Sequence, residues 1–488
     1  MVSTSFAESR FGLGARGDQP IPQSDPRGWA EVQLAAFEPH VAGIPDSRSV
    51  AVELADYLDL QKAARQLAKD QQAMIPSQPQ HQPQQAAASL MMPAAMPRPA
   101  RTPEIIAARQ AGREAYATLV GARTNNALMT TTPFAERLTH FWANHFAVSA
   151  NKQTTIGFAG LLEFEAIRPH VMGKFGDMLL AVEQHPAMLF FLDQVTSIGP
   201  DSMFAQRGRN RARRGLNENL AREIMELHTL GVRTGYSQAD VTEFARALTG
   251  WTVAGIGRGQ AAQLTQGEPG QFAFVDGLHE PGDRMIMGKR YRDGGQDQAR
   301  AILSDLAVHP ATARHLATKL ARHFAADNPP PAMVARLEAA YRKSGGDLPT
   351  IYRALIASPE AWDSATPKFR NPWDWTVASL RAVGVERIDG DATSNLLNQL
   401  GQPVWRPDSP AGYDDIAAAW AGPDALVRRV EAAQRLAARA GSKLDARLIA
   451  PRVLGAQLTP ATATAIARSE SPGTGLALML VSPEFLRR

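Results

Sequence analysis

The run LNENLAREIMELH, residues 216 to 228, gathers side chains able to move protons or hold a cation. On a regular helix turning about 100° per residue, Leu216, Leu220, Ile224 and Leu227 share one face, and Asn219, Glu223 and Glu226 form a polar stripe along its flank. Two carboxylates beside a buried seam suit acid–base chemistry, because like charge and desolvation raise the pKa of one of them. They equally suit oxygen ligation of a cation. The competing reading is structural, with Arg222 and other basic residues neutralising the pair in an ion-pair network.

His228 lies roughly 160° around a regular helix from Glu226, so the two do not form the Glu-x-x-His chelate of helical di-metal proteins. If the helix ends at Thr229-Leu230-Gly231, His228 either joins the site or caps the last carbonyls. Upstream, the stretch 133 to 148 places Phe134, Leu138, Phe141, Trp142 and His145 on one face, so His145 points into a core and is expected to be buried beside Trp142. His140 is about 140° away and makes a poor chelate with it. Across a helix interface, His145 would meet the Glu223 stripe. His279, beside Glu280-Pro281-Gly282, is expected to be presented by a turn rather than packed. In the stretch after Pro310, His323 shares a face with Leu316 and Leu320, while His315, Lys319 and Arg322 form a basic stripe that core packing and solvation explain. Five arginines between 207 and 214 read as a solvated loop or as a holder of an anion.

Other chemistries are excluded by what the chain lacks. It has no Cys, which removes disulfides, thiolate zinc sites, iron–sulfur ligation and cysteine nucleophiles. No aromatic residues interleave with the arginine run, and a net charge of +4 on 488 residues gives no basic footprint, so nucleic acid is not expected as a partner. There is no Walker loop, dinucleotide glycine fingerprint, HExxH or GxSxG. No apolar run approaches the about 18 residues of a membrane span, and Asp18, Pro20, Pro22 and Asp25 stand where a signal peptide needs apolar sequence. As written, the chain reads as cytoplasmic; removal of a leader would leave the same picture.

The elements that must position these residues are mostly helical. Thr132-Pro133, His185-Pro186, His309-Pro310, Ser358-Pro359, Thr459-Pro460 and Ser482-Pro483 each read as a cap followed by proline at the first helical position. Ser237 with Asp240 forms a capping box, and Gly250 is the expected stop. Residues 271 to 291 alternate around glycines and read as a β-hairpin or two short strands. Residues 71 to 103 shift to Gln, Pro, Ala and Met with no apolar period, the pattern of a mobile insertion between an N-terminal helical segment, 1 to 70, docked on the body, and a main domain, 104 to 488. The fold class is mainly α: a multi-helix globular body with a small β-hairpin.

RFGLG at 10 to 14, FWANHFAVS at 141 to 149, RGLNENLAREIMELHTLGV at 214 to 232, GYSQADVTEFARALTGW at 235 to 251, HEPGDRMIMG at 279 to 288 and HPATARHLATKLARHF at 309 to 324 together resemble a bacterial family, domain of unknown function 1800. The resemblance covers nearly the whole chain apart from the Gln/Pro insertion. It implies no established activity and carries over no catalytic residue. It implies that Asn219, Glu223, Glu226, His228, His145 and His279 sit in the family's own motif stretches. Members resembling this chain often carry export signals and are encoded beside a second uncharacterised family, domain of unknown function 1501, similar to alkaline phosphatases and sulfatases. This sequence departs from that pattern in showing no signal peptide.

Three functional readings follow. The first is an acid–base enzyme, a hydrolase of a glycan or other polar polymer or a small molecule, with Glu223 and Glu226 in proton transfer, Asn219 positioning, His145 and His228 as partners, and His279, Arg222 and Trp142 contacting substrate. The close spacing of the two glutamates places the second carboxylate of an inverting glycosidase elsewhere. The second reading is a non-catalytic assembly partner of a companion enzyme. The third is a mononuclear metalloprotein holding a divalent cation with Glu and His from different helices.

Overall fold

A computed structural model describes residues 4–18, 25–73, 102–207, 215–256, 264–441 and 444–488. The body is mainly helical, with two small antiparallel β pairs, as the cap-and-proline pattern predicts. Helices open at Pro133, Pro186, Pro310 and Pro460, and a 3₁₀ turn opens at Pro359. Two of these caps are imidazoles: Nδ1 of His185 accepts from the Ala187 N–H and Nδ1 of His309 from the Ala311 N–H, both at 3.1 Å. A histidine ring thereby satisfies a free N–H as a Ser or Thr hydroxyl does. Ser482-Pro483 is the exception and opens no helix. The chain there pairs with another strand of backbone instead, with Lys368 N–H donating to the Arg488 carbonyl at 2.8 Å and Arg370 N–H to the Leu486 carbonyl at 2.9 Å.

The capping box of Ser237 and Asp240 forms and starts the helix Gln238–Leu248. The sequence between 271 and 291 splits. Its first strand, β2 (Phe272–Phe274), pairs with a strand not expected from the sequence, β1 (Trp251–Val253). Its second half is a hairpin of β3 (Arg284–Ile286) and β4 (Lys289–Tyr291), turned by Met287 and Gly288 at φ 48° and 78°. Two successive left-handed residues suit the twist of a tight hairpin.

Of the expected insertion, 71 to 103, residues 74–101 lie outside the described residues. Its described ends are ordered, since one helix runs Ser47–Ala73 and Pro103 opens the next. The arginine run also lies outside them from 208 to 214. Among the described residues no helix is long and apolar enough to cross a membrane.

Two features position the site. The helix Pro133–His145 is buried on every side rather than along one apolar stripe, because its polar residues all find partners inside. Arg168 Nη1 donates to both oxygens of Glu136 at 2.9 Å, and Arg137 donates to the Gly12 carbonyl at 2.6 Å and to Asp374 at 2.9 Å. The N-terminal residues thread the same core. Arg10 is fully buried and donates to the Phe324 and Ala325 carbonyls at 3.1 and 2.9 Å, closing the C-terminal end of the helix Pro310–Phe324. Phe11 stacks on Trp362 at 4.3 Å and touches Phe134 and Phe324.

Candidate functional site

A cavity of about 570 Å³ opens between the helices Pro133–His145 and Pro310–Phe324, the start of Pro372–Ala382 and the loop 402–416. That volume suits a small metabolite. The Pro310 helix presents His315, Lys319, Arg322 and His323 to it, positions that recur every three or four residues along one face. The loop is pinned to the opposite wall by Asn144, whose side chain donates to the Tyr413 carbonyl and accepts from its N–H, both at 2.8 Å. Gly412 permits this approach: at φ 80°, a Cβ there would stand 2.3 Å from the Asn144 carbonyl oxygen. Trp405, at φ 46°, is held in a strained conformation by its indole N–H bonding Glu163 at 3.1 Å and by its carbonyl accepting from Ala150 at 2.8 Å.

The cavity wall divides into settled and unsettled charge. Asp374 takes Arg137 at 2.9 Å and Arg488 at 3.0 Å. Burial opposes its charge, yet these two guanidinia hold it below the usual carboxylate range. Asp415 accepts from His323 Nδ1 at 2.6 Å and lies 3.5 Å from Lys368, and it too is held down against burial. Lys319 is different. Its Nζ donates to His145 Nδ1 at 2.9 Å, and among the described residues it takes part in no ion pair. Desolvation first, and then the charge of Arg322, bring its pKa down from 10.5 to about 8, with Asp415 opposing.

An ammonium has only donors, so the His145 ring must accept at Nδ1 and carry its proton at Nε2, which donates to the His228 carbonyl at 3.1 Å. Burial, and then Lys319, keep His145 neutral, well below its ordinary range. His315 stands beside this pair, donating from Nε2 to the Leu227 carbonyl at 3.1 Å. Desolvation and the nearby Lys319 lower its pKa to about 4. The arrangement is an amine that titrates near neutrality, backed by an imidazole lone pair and set in a concave wall.

The residues singled out in the sequence divide. His145 is buried beside Trp142, with ring centroids 5.2 Å apart, and it borders the cavity. Glu223, Glu226 and Asn219 do not line the cavity. The regular helix expected over 216 to 228 is instead a short α-helix, Asn219–Glu223, followed by a π-helical turn, Ile224–His228, with Leu216 outside both. The wider turn shifts the phase of every residue after 223. His228 does not cap the helix: it is fully buried, donates from Nδ1 to Glu183 at 2.7 Å, and lies close enough to Glu223 to favour that carboxylate's charged form. Arg222 lies 3.2 Å from Glu218 and 3.7 Å from Glu226, so it serves an ion-pair network rather than a pocket. Asn219 is exposed. Glu223 is half-buried, and desolvation raises its pKa.

Two expected substrate contacts are core residues. Trp142 is fully buried and donates to the Tyr352 hydroxyl at 2.6 Å. His279 is packed rather than presented, because its Nδ1 donates to the Thr249 carbonyl at 2.9 Å and its ring meets Phe274. The residues that the sequence discounted are His315, Lys319 and Arg322. Their stripe was visible, but periodicity cannot tell a solvated face from a cavity wall.

A carboxylate–imidazole cluster also exists, Glu136, His140 and Glu163, with potential ligand atoms within 4.8 Å of one another. Its donors are otherwise engaged. Arg168 Nη1 pairs with Glu136, Arg123 lies 3.0 Å from Glu163, and the Trp373 indole N–H donates to His140 Nδ1 at 3.2 Å, which leaves the ring proton on Nε2 facing the carboxylates. That proton pattern fits a buried ion-pair network and does not fit a cation site.

The fold and this site define a mainly helical protein with a small-molecule-sized cavity lined by imidazole, amine and guanidinium groups. Residues 7–487 match the family described as protein of unknown function (DUF1800), and the chain belongs to that family. No curated protein and no solved structure matches the chain.

Proposed function

We propose that the chain is an acid–base enzyme acting on a small polar molecule in the 570 Å³ cavity, with Lys319 and His145 as its working pair. The observation that carries this reading is the 2.9 Å contact of Lys319 Nζ with His145 Nδ1 in the cavity wall, away from any carboxylate partner among the described residues. An amine titrating near 8 is available in both protonation states at neutral pH, as a proton-transfer group must be. Arg322 on the same helix supplies positive charge for an anionic substituent. The cavity's size favours a small molecule over the glycan or polymer suggested by the glutamate stripe.

The test is a proton NMR screen of a library of small carboxylates, phosphates and neutral sugars, read for binding and for consumption. Hits lost in Lys319→Met and His145→Gln but kept in Glu223→Gln and Glu226→Gln support the assignment. Hits that survive the first two variants, or vanish in the glutamate variants, overturn it.

A further inference from the structure

We propose, resting on the acid–base reading above, that Lys319 is a covalent group that condenses with the carbonyl of a 2-oxo acid whose carboxylate is held by Arg322. The two residues are three apart on the helix Pro310–Phe324 and both line the cavity. Side chains at that spacing are neighbours on one helix face, roughly 5 to 6 Å apart at Cβ. Side chains starting that close can converge on one small molecule, one on its carboxylate and the other on the adjacent keto carbon. Among the described residues, Arg322 donates only through Nε, to the Asp327 carbonyl at 3.3 Å, which leaves its Nη groups without a carboxylate partner on a residue that lines the cavity. A guanidinium fork is the group suited to take a carboxylate in two parallel bonds.

Lys319 meets the needs of an imine-forming lysine on geometry. A neighbouring cation and a desolvated wall are what make a lysine amine nucleophilic. The contrast with Lys368 is internal to the protein. Lys368 is more deeply buried than the half-buried Lys319, at 1% exposed, but it is bound to Asp327 and to the Asp415 carbonyl, which keep its ammonium engaged. Lys319 has only an imidazole lone pair.

The step balances as follows. The lone pair of neutral Nζ attacks the keto carbon, forming the C–N bond as the C=O π pair moves to oxygen. The resulting ammonium is more acidic than an ordinary lysine, so His145 Nδ1 at 2.9 Å accepts its proton and passes it to the alkoxide, giving a neutral carbinolamine. The nitrogen lone pair then expels hydroxide, which takes up the remaining N–H proton by way of His145 and leaves as water. The product is an imine and one water, with no change in oxidation state.

Pyruvate with borohydride tests this, because hydride reduces an imine to a stable secondary amine that marks the lysine. The chain has nine lysines, few enough to map each one by peptide mass. The expected result at pH 8 is an adduct at Lys319 exceeding that at exposed lysines by about tenfold or more, since an ordinary amine is almost wholly protonated there. The adduct should disappear in Lys319→Arg, which keeps the charge, and in Lys319→Met, and should fall sharply in Arg322→Met. Equal labelling across lysines, or no labelling of Lys319 while saturation-transfer NMR shows pyruvate binding that Arg322→Met abolishes, overturns the imine and leaves the acid–base reading in place. Neither adduct nor binding overturns the 2-oxo acid itself, and the wider reading is then decided by the library screen alone.

Discussion

Two polar stripes in this protein look alike in sequence and differ in what lies opposite them. One is Glu223 and Glu226 with Arg222; the other is His315, Lys319 and Arg322. Each flanks an apolar helical face. Across from the first lie Gln238, Thr242 and Tyr236, polar side chains that extend an ion-pair network at the half-exposed surface, with Gln238 bonding both Arg222 and Glu218 at 2.8 Å. Across from the second lie His145 and a concave wall built from the helix Pro133–His145, the start of Pro372–Ala382 and the loop 402–416. Periodicity reports which face of a helix is polar, whereas chemistry depends on whether that face is shielded from water. Shielding is what brings an amine to about 8 in the second stripe, while in the first Arg222 and Glu226 are paired and partly screened.

If the cavity wall depends on buried charge and the glutamate stripe does not, neutralising an acid in the two places should give very different costs. Asp374→Asn leaves Arg137 and Arg488, both nearly fully buried, without their shared carboxylate. Removing one partner of a buried pair typically costs about 3 to 5 kcal/mol. Urea unfolding of this variant should show a loss of that size. A loss below about 1 kcal/mol would erase the distinction between the regions.

Much of the fold was legible because helix starts are local. Pro133, Pro310 and the Ser237–Asp240 box announce themselves within four residues. The β1–β2 pair was not legible, since Trp251 finds Phe274 across a long connection and neither three-residue strand carries a period of its own. The π-helical turn at Ile224–His228 hides for another reason: its wider turn advances each residue by less than the 100° of a regular helix, and nothing in the local sequence announces it. That single departure shifts the angles of His228 and Glu226. Of the site, His145 was placed correctly as a buried ring, but its partner Lys319 is 174 positions away and only packing brings them together. The loop 402–416 carries no motif. Its part in the cavity depends on Asn144 and Gly412, a contact between residues that sequence spacing does not relate.

The two regions should also respond to acid with opposite sign. His315 in the folded protein titrates near 4 rather than 6.5, because burial and then Lys319 disfavour its charged form. Between those values the unfolded chain binds a proton that the folded chain refuses, so stability falls as pH drops from 6.5 toward 4. His145 is shifted in the same direction by burial and adds to the effect. The loss attributable to His315 is on the order of 2 kcal/mol after allowance for its partial exposure, and His315→Gln should remove it. Glu223 works the other way: its raised pKa means the folded chain binds the extra proton, so it gains stability as pH falls through that value. Urea midpoints from pH 7 to pH 4 for wild type, His315→Gln and Glu223→Gln separate the two signs. A wild-type curve flat across this range, or unchanged by His315→Gln, would contradict the buried imidazole account.

The smallest effect is expected at the glutamates, and it decides whether the first stripe is a second site or only a surface. Glu226 pairs with Arg222 at 3.7 Å between side chains that are 30% and 35% exposed, a geometry in which an ion pair contributes about 0 to 1 kcal/mol. Glu226→Gln should therefore lower stability by less than about 1 kcal/mol, because Arg222 retains Glu218 at 3.2 Å. Glu223 has no ion-pair partner within 4 Å among the described residues, and its charge is already disfavoured by desolvation, so Glu223→Gln should be neutral or slightly stabilising at pH 7. Isosteric amides keep the shape of both side chains, so any change in ligand binding would report charge rather than packing. If both variants match wild type in urea midpoint and in every NMR hit, the stripe is a solvated face. If either loses a hit while its midpoint is unchanged, the glutamates do chemistry of their own, and the distinction drawn here between a paired surface and a shielded wall fails at the point where it was strongest.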